Sequence, residues 1–276
     1  MTRPTWRLLQ DTSSSAAWNM AADETMLISC GGEAGRPTLR FYGWNPPAVS
    51  IGYFQRLAAE IDQAACRTLG IDVVRRLTGG RAVLHERELT YSLVVREDEP
   101  YIPPTVTESY RFFSRAIVAG LEKLGVAAEM KSPEPQRGKL RAHASAACFD
   151  APSHYEITVE GRKLVGSAQV RRDGVLLQHG SILLSFQPDQ MAAVLQRTQS
   201  DCTEFLALEL AERAIGLDEV LGGPVDAAAV ALAIRSGFEE KCGLLFQTDA
   251  WLDSELSRID ELVKQKYSAK AWNFRR

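Results

Sequence analysis

The sequence predicts a mixed α/β (α+β) domain, and three observations support this. Short β-like runs alternate with helical stretches as far as residue 186. Two of these runs flank the Gly-containing segment 160–163, which is typical of a hairpin and therefore of antiparallel pairing. From Gln187 onward the pattern is mainly helical. Strands interleaved with helices, together with a hairpin, favour a sheet of mixed direction over an all-α or all-β fold.

The first half of the chain begins with a helix. Ser13-Ser14-Ser15 can cap a helix through residues 18–28, and Gly31-Gly32 ends it. The β-like runs that follow lie at residues 38–42, 48–52, 72–77 and 89–95. Two more helices are predicted, one over residues 60–69 and one over residues 107–124, where apolar side chains recur at helical spacing.

The second half returns to strands before the helical end. Runs 155–159 and 164–168 pair around the turn 160–163, and a further β-like run covers 175–186. Helices are predicted over 226–242 and 251–267. The Pro-containing stretch 131–147 is predicted to be a surface loop that leads directly into Cys148.

Composition excludes several classes of protein. Thirty-two Lys and Arg against 35 Asp and Glu give a net charge of −3, which disfavours a generic nucleic-acid or membrane-surface role. No apolar run approaches the roughly 20 residues that span a bilayer, and residues 1–7 lack the apolar core of a signal peptide. Five cysteines without a Cys-x-x-Cys pair suggest neither a disulfide framework nor a zinc site. We expect a reduced, cytoplasmic protein without a metal site.

Residues 75–85, Arg-Arg-Leu-Thr-Gly-Gly-Arg-Ala-Val-Leu-His, form the first segment with the composition of a ligand site. Glycine lets the backbone approach a ligand closely, and guanidinium groups suit phosphate or carboxylate partners. A Gly-Gly hairpin turn with solvated arginines explains the same residues. The arginines could also form structural ion pairs, so both interpretations stay open.

Cys148 is the second candidate, because it stands where a loop rich in Pro and small residues re-enters a strand region. Loops held by a rigid scaffold commonly carry nucleophiles. Most cysteines are small buried apolar residues. Core or incidental roles suffice for the other four, Cys30, Cys66, Cys202 and Cys242.

Lys163 follows Cys148 by 15 residues, and small neighbours leave room for a substrate beside it. A solvated hairpin lysine is the alternative. His85 and His179 lie in strand-like surroundings and are predicted to be hydrogen-bonded structural residues. His143 and His154 flank Cys148, so a Cys-His nucleophile pair also stays open.

Four blocks of sequence resemble a known family. Residues 75–85, followed by Leu-Thr-Tyr-Ser at 89–92, resemble the Arg-Arg-x-Ser/Thr-Gly-Gly signature of the superfamily of lipoate–protein ligases, octanoyltransferases and biotin–protein ligases. Residues 160–169 resemble its Gly-(Lys/Arg)-Lys-x-x-Gly-Ser-Ala block, and residues 177–182 resemble the strand that follows. Residues 267–274 resemble the ending of many members. The blocks occur in the family's order, so the chain is identified as a member from about residue 18 to residue 246.

Two departures from the ligases indicate the subtype. Arg81 stands where lipoate ligases usually carry a third glycine, and Cys148-Phe149-Asp150 stands where they carry an Asn-Asp pair. A cysteine at this place is similar to the LipM-type octanoyltransferases. That resemblance implies catalytic roles for Cys148 and Lys163. It implies substrate contacts from the glycine segment and from the block after Lys163, namely Arg75, Arg76, Thr78, Gly79, Gly80, Arg81, His85, Gly166, Ser167 and Ala168.

The same resemblance implies the fold in more detail. Mixed, largely antiparallel β-sheets flanked by helices would form a biotin/lipoate ligase-like catalytic domain at residues 34–248. An N-terminal helix within residues 1–33 would pack on this domain, and residues 249–276 would add a C-terminal helix.

The implied reaction is octanoyl transfer in lipoate biosynthesis, through a cysteine acyl-thioester. The donor would be octanoyl-acyl carrier protein, and the acceptor a lysine of the glycine cleavage H protein or another lipoyl domain. Exchange of a thioester donor with cysteine keeps the acyl group activated, so neither ATP nor a metal is expected. An ATP-dependent lipoate or octanoate ligase on the same fold is the first alternative. A non-catalytic protein that binds acyl groups or lipoyl domains, with Cys148 incidental, is the second; neither nucleic acid nor membrane is an expected partner.

Overall fold

A computed structural model of the chain describes residues 3–32, 35–131, 156–196 and 202–275. The strands in this part of the chain are β1 (Thr5–Gln10), β2 (Thr38–Tyr42), β3 (Ala48–Ile51), β4 (Asp72–Arg75), β5 (Val83–His85), β6 (Glu88–Arg96), β7 (Glu129–Lys131), β8 (Glu156–Val159), β9 (Arg162–Arg172), β10 (Val175–Leu183) and β11 (Leu245–Thr248). The helices are α1 (Ala16–Gly31), α2 (Leu57–Glu60), α3 (Gln63–Thr68), α4 (Val106–Lys123), α5 (Pro188–Val194), α6 (Thr203–Ala211), α7 (Leu217–Leu221), α8 (Ala227–Lys241), α9 (Asp253–Leu262) and α10 (Lys270–Asn273). A π-helical turn, Val263–Tyr267, continues α9.

The strands form a large sheet and a small one. The large sheet has the order β11-β1-β2-β6-β10-β9-β8-β7, and the small sheet has the order β4-β3-β5. In the large sheet β1 runs parallel to both β11 and β2, whereas every pair from β2 to β7 is antiparallel. The prediction of a mixed, largely antiparallel α/β fold is therefore confirmed.

Helices cover both faces of the large sheet. Neighbouring residues of a strand point to opposite sides, and in β1 and β6 apolar residues occupy both sides. Leu8 and Leu93 belong to the core that contains Phe113 of α4. Leu9 and Val94, one residue further along the same strands, pack instead against Met26 of α1. The first core also contains Val230, Ile234 and Phe238 of α8, so α4 and α8 lie on one face and α1 on the other.

Helices α4 and α8 cross at two glycines. A Cβ atom on Gly237 would lie 2.1 Å from the carbonyl oxygen of Ala116, and one on Gly120 would lie 2.6 Å from the Cα atom of Ile234. Real Cβ atoms do not approach other heavy atoms this closely, so the two backbones touch only because both positions lack a side chain.

Several element boundaries differ from the sequence prediction. The hairpin turn consists of Glu160 and Gly161, both with positive φ, which matches the two-residue turn that follows the twist of paired strands. The prediction of a four-residue turn at 160–163 is wrong, because Arg162 and Lys163 already lie in β9. The helix predicted at 60–69 is α3, which begins three residues later than predicted because the Asp62 side chain caps it by accepting hydrogen bonds from two backbone N–H groups. Only Glu60 of the predicted range belongs to α2.

Other predicted elements agree closely with the structure. Ser15 caps α1 by accepting from the backbone N–H of Trp18, as expected of the serine run. The predicted helices at 107–124 and 226–242 are α4 and α8, displaced by one residue at each end. The strands β1 and β11 are absent from the prediction. Most of the predicted loop 131–147 lies outside the described residues, and the three-part division of the chain stays a prediction.

No helix in the described ranges is long and apolar enough to cross a membrane. Within the same ranges, no group of three or more His, Cys, Asp or Glu side chains is arranged to hold a metal ion.

Candidate active site

A cavity of about 170 Å³ lies where the small sheet faces strands β6, β9 and β10 of the large sheet. Seven of the predicted substrate-contacting residues line it: Arg76, Gly80, Arg81, His85, Gly166, Ser167 and Ala168. Nine residues outside the predicted set complete the lining, namely Met20, Tyr42, Trp44, Ser50, Val83, Thr90, His179, Gly180 and Ser181. The structure thus brings together two sequence blocks that are separated by about 80 residues.

Arg76 organises one side of this cavity. Its side chain is buried, and its Nη2 atom donates to the carbonyl oxygens of Gly79 and Arg81, each at 2.7 Å. Its Nη1 atom donates to the carbonyl of Ser50 at 2.9 Å. Of the two interpretations left open for the segment, the one with solvated arginines does not hold for Arg76, because its guanidinium is buried and holds the glycine segment from within.

The first of two carboxylate–histidine–hydroxyl chains that meet at Arg76 begins at Asp23. The carboxylate can only accept, so it fixes the proton of His179 on Nδ1, 2.9 Å away. The Nε2 atom of His179 then accepts from the hydroxyl of Thr78 at 2.7 Å. That hydroxyl oxygen accepts in turn from Nε of Arg76 at 3.1 Å. Every member of this chain is buried.

The Asp23 carboxyl has an unusual environment. Burial by itself raises its pKa, but the hydrogen bond from His179 and the charge of Arg40 outweigh burial, so the pKa lies below its usual value. Arg40 donates to Asp23 at 3.0 Å and to Asp11 at 2.6 Å. A stable negative charge at Asp23 keeps the His179 tautomer fixed.

The second chain begins at Glu88. Its Oε1 atom lies 3.3 Å from Nδ1 of His85, and Nε2 of His85 lies 2.8 Å from the Ser50 hydroxyl. Arg76 donates to that hydroxyl oxygen at 3.2 Å. Burial lowers the pKa of His85, an effect that Glu88 only partly opposes, so its imidazole is neutral at pH 7. The ring also stacks on Trp44, with centroids 4.0 Å apart and planes at 16°.

Close backbone contact explains why the segment needs glycine. Gly80 has φ of +90°, which a residue with a side chain rarely adopts. A Cβ atom on Gly52 would lie 2.0 Å from the carbonyl oxygen of Gly80. The end of β3 and the Gly79-Gly80 segment can therefore lie against each other only with a glycine at position 52.

Arg75 has a different environment from Arg76. Its guanidinium is buried, lies outside the cavity lining, and donates to the carbonyl oxygens of Gly52, Tyr53, Gln55, Trp272 and Asn273. Its backbone N–H donates to Oδ1 of Asn273 at 2.8 Å. Of the two uses left open for this arginine, these contacts favour the structural one, because they fasten the C-terminal helix α10 to β4.

Lys163 is buried in β9, although the alternative of a solvated hairpin lysine predicts exposure. Its backbone N–H donates to the carbonyl of Arg213, and its own carbonyl accepts from Ile215. Its Nζ atom donates to Oε1 of Glu156 at 2.7 Å. The buried ammonium, held by a carboxylate, is a positive group of fixed position. In the sequence Lys163 lies three residues before Gly166, which lines the cavity.

The described cysteines are poor nucleophiles or lie away from the cavity. Burial raises the pKa of the Cys30 and Cys242 thiols to about 12 and that of the Cys66 thiol to about 11. Cys202 is exposed and does not line the cavity. Their core or incidental roles agree with the sequence interpretation. Cys148, His143 and His154 lie outside the described residues, so the proposed nucleophile and both histidine alternatives stay predictions.

Apart from His85, the residues that form the deep part of the cavity were not among the predicted site residues. His179 was correctly predicted to be hydrogen-bonded, but not to line the site. Tyr42 ends β2, Trp44 follows it, and Ser50 lies inside β3, so all three look like ordinary residues of a strand region. The signal available in the sequence is polarity: Ser50 is the one polar residue of β3, and Thr90 and Ser181 are hydroxyl residues between apolar neighbours in β6 and β10.

The comparisons with known proteins agree with this geometry. Residues 15–239 match the family model described as the lipoyl protein ligase A/B catalytic domain. That range covers most of the chain and contains the whole lining of the cavity. The chain belongs to this family.

Two of the similar proteins are named octanoyltransferases, and two similar solved structures are lipoate protein ligases. The chain is 48% identical over 273 residues to a protein of Kyrpidia tusciae named octanoyltransferase LipM, covering 99% of each chain. It is 39% identical over 278 residues to octanoyltransferase LipM of Bacillus subtilis, covering 100% of each. A solved bipartite lipoate protein ligase of Thermoplasma acidophilum superposes with a TM-score of 0.81 at 27% identity, covering 98% of this chain and 96% of that one. A lipoate-protein ligase A bound with ATP superposes with a TM-score of 0.79 at 28% identity, covering 98% of both.

Proposed function

We propose that this chain takes an octanoyl group from octanoyl-acyl carrier protein onto Cys148 and passes it to a lysine of a lipoyl-accepting protein. The chain is an octanoyltransferase, an acyltransferase of lipoate biosynthesis. The observation that carries this conclusion is the full-length similarity to octanoyltransferases named LipM, at 39–48% identity.

The size of the cavity supports an acyl substrate. An apolar cavity of about 150 Å³ holds benzene, which has six carbons. The cavity described above, at about 170 Å³, is therefore suited to a chain of about seven carbons, as in the tail of an octanoyl group. Burial of seven such carbons at about 0.8 kcal/mol each contributes about 5–6 kcal/mol to binding.

Lys163 supports a thiolate mechanism. Lowering the pKa of a cysteine thiol from about 8.5 to about 7 requires about 2 kcal/mol. An ammonium about 4 Å away contributes about 4 kcal/mol at an effective dielectric constant of 20, before losses from desolvation. The neighbouring Glu156 carboxylate offsets part of this attraction. We propose that Lys163 favours the Cys148 thiolate and then helps to manage protons when the acceptor lysine attacks.

The transfer balances without ATP. The Cys148 thiolate attacks the donor thioester, the carrier thiol leaves as thiolate, and the octanoyl group becomes a thioester of the enzyme. The neutral amine of the acceptor lysine then attacks this thioester, forms an amide, loses a proton and releases Cys148. Each step uses only the acyl donor and the acceptor protein.

Mass spectrometry after incubation with octanoyl-acyl carrier protein tests the proposal. We expect the mass of one octanoyl group on the enzyme, removable by hydroxylamine and absent from Cys148→Ser. Lys163→Ala should form the adduct at least tenfold more slowly at pH 7 and recover toward the wild-type rate as the pH rises, because a thiol without a cationic neighbour needs higher pH to ionise. Both variants are made in a Cys202→Ser background, since Cys202 is the exposed thiol among the described cysteines.

The alternatives predict different outcomes. A product that appears only with free octanoate or lipoate and ATP, without an enzyme adduct, would identify an ATP-dependent ligase of the kind that the structural neighbour bound with ATP represents. Neither adduct nor product would identify a non-catalytic binding protein. An adduct that persists in Cys148→Ser would place the nucleophile at another residue.

A further inference from the structure

The cavity has an open end and a closed end. At the open end, which we call the mouth, the lining residues Gly80, Arg81, Val83, Gly166, Ser167 and Ala168 are partly or fully exposed. At the closed end, which we call the floor, they are buried: Met20, Tyr42, Trp44, Ser50, His85 and Thr90. Lys163 precedes the mouth residues on β9. Under the proposed function the reacting carbonyl therefore lies at the mouth, and the end of the acyl chain points to the floor.

We propose that Trp44 sets the length of acyl chain that this enzyme accepts, an inference that rests on the proposed function. Its indole is held at several points. One face stacks on His85 at 4.0 Å, and Nε1 donates to the Thr90 hydroxyl at 2.8 Å. The Thr90 hydroxyl itself donates to Oε1 of Glu88. A ring held in this way cannot turn aside for two more methylene groups.

Other floor residues are less suited to this role. Met20 is unbranched with a flexible thioether, so it adapts to a longer chain rather than stopping it. Tyr42 is fixed by its hydroxyl on Asp23 at 3.1 Å, but it belongs to the network that supports His179. Trp44 combines large volume with restraints on both its face and its edge.

A substitution at Ser181 tests the opposite change, a smaller cavity. It is buried, lines the cavity and lies opposite Thr90 in the register of β10 and β6. Its hydroxyl has no hydrogen-bond partner in the part of the chain that is described. Valine suits a strand, so Ser181→Val would add apolar volume beside the floor without removing a hydrogen bond seen among the described residues.

The experiment compares kcat/KM for hexanoyl, octanoyl and decanoyl groups on the same acyl carrier protein. The contribution of carrier docking is then the same for each acyl group and drops out of the ratios. The wild-type enzyme should prefer octanoyl to decanoyl by at least about tenfold, as expected when a packed pocket must take extra methylenes. Trp44→Phe should raise the decanoyl-to-octanoyl ratio by about tenfold. Ser181→Val should raise the hexanoyl-to-octanoyl ratio by about fourfold, since one buried methylene changes affinity by about that factor.

Trp18→Phe is the matched control. Trp18 lies outside the cavity lining and packs against Trp251 at 5.9 Å, so this variant should keep the wild-type ratios. Unchanged ratios in a folded Trp44→Phe enzyme would overturn the inference. If Trp44→Phe does not fold, unchanged ratios in Ser181→Val overturn it. A wild-type enzyme that transfers no acyl group of any length would instead refute the proposed function.

Discussion

At the scale of single residues, the environment of His85 fixes its charge. The ring is buried between Trp44 and the Ser50 hydroxyl, and burial lowers its pKa more strongly than Glu88 raises it. In the unfolded chain the imidazole has a pKa of about 6.5. Because the folded pKa is lower, the unfolded chain takes up a proton first as the pH falls. The stability that this histidine contributes is therefore complete above about pH 6.5 and decreases below it.

His85→Gln should remove this pH dependence. The free energy of unfolding of the wild-type protein should fall as the pH drops below about 6.5 because of this residue. The variant should be less stable at every pH, but with a flatter profile. Urea titrations at pH 7.5, 6.5 and 5.5 measure both slopes. Equal slopes would mean that folded and unfolded His85 bind a proton equally well.

Residue chemistry was partly predictable from the sequence. The glycine segment and the block after Lys163 were assigned to one site because their residue types suit a ligand and their order resembles a family, and residues of both line the cavity. Burial was not predictable from local sequence, and Arg76 shows why. The acceptors that make its burial tolerable include Ser50, which pairs with it only after β3 and the glycine segment meet.

At the scale of elements, the contact between α4 and α8 depends on backbone touching backbone. Alanine is a better helix former than glycine by about 1 kcal/mol. At Gly237, however, the added Cβ atom would lie 2.1 Å from the carbonyl oxygen of Ala116 and 2.6 Å from the backbone nitrogen of Gly120. Backbone atoms cannot rotate away as side chains do, so the helices would have to separate.

Gly237→Ala should therefore lower the free energy of unfolding by about 1–3 kcal/mol, the usual result of overpacking a core, despite the gain in helix propensity. Gly223→Ala is the matched control, because a Cβ atom there meets nothing within 4 Å. Its effect should stay within about 1 kcal/mol. Chemical denaturation of both variants tests the expectation, and a stabilised Gly237→Ala protein would contradict it.

Element boundaries show where local patterns fail. Helices such as α4 were predicted to within a residue, because apolar periodicity and a cap are both local signals. The strands β1 and β11 were missed. They pair in parallel across about 240 residues, so nothing near either strand signals the partner. The helix predicted at 60–69 was begun three residues too early for a local reason, since the capping role of Asp62 was overlooked.

At the scale of the whole molecule, distant parts of the chain meet at Arg75. The Asn273 side chain accepts from the Arg75 backbone N–H at 2.8 Å and donates to the carbonyl of Tyr267 at 2.8 Å. The Trp272 indole donates to the carbonyl of Arg75 at 2.8 Å. The block at residues 267–274, noted in the sequence only for its resemblance to the ending of many family members, thus contributes directly to the environment of Arg75.

Asn273→Ala should destabilise the protein by about 2–4 kcal/mol, because it leaves the buried Arg75 N–H and the Tyr267 carbonyl without these partners. Lys270→Ala, on the exposed side of the same helix, should change stability by less than about 0.5 kcal/mol. Thermal or urea unfolding of the two variants gives the comparison. Similar stability of both variants would show that α10 does not support Arg75.

The contact between Arg75 and Asn273 also has a consequence for folding during synthesis. Arg75 and Asn273 are separated by 198 positions in the sequence. At about 5–20 residues per second, a ribosome needs about 10–40 s to pass from the first to the second. Throughout that interval Arg75 has been synthesised, but its acceptors on α10 do not yet exist. Arg75 therefore gains its acceptors on Trp272 and Asn273 much later than those on Gly52, Tyr53 and Gln55, which precede it in the chain.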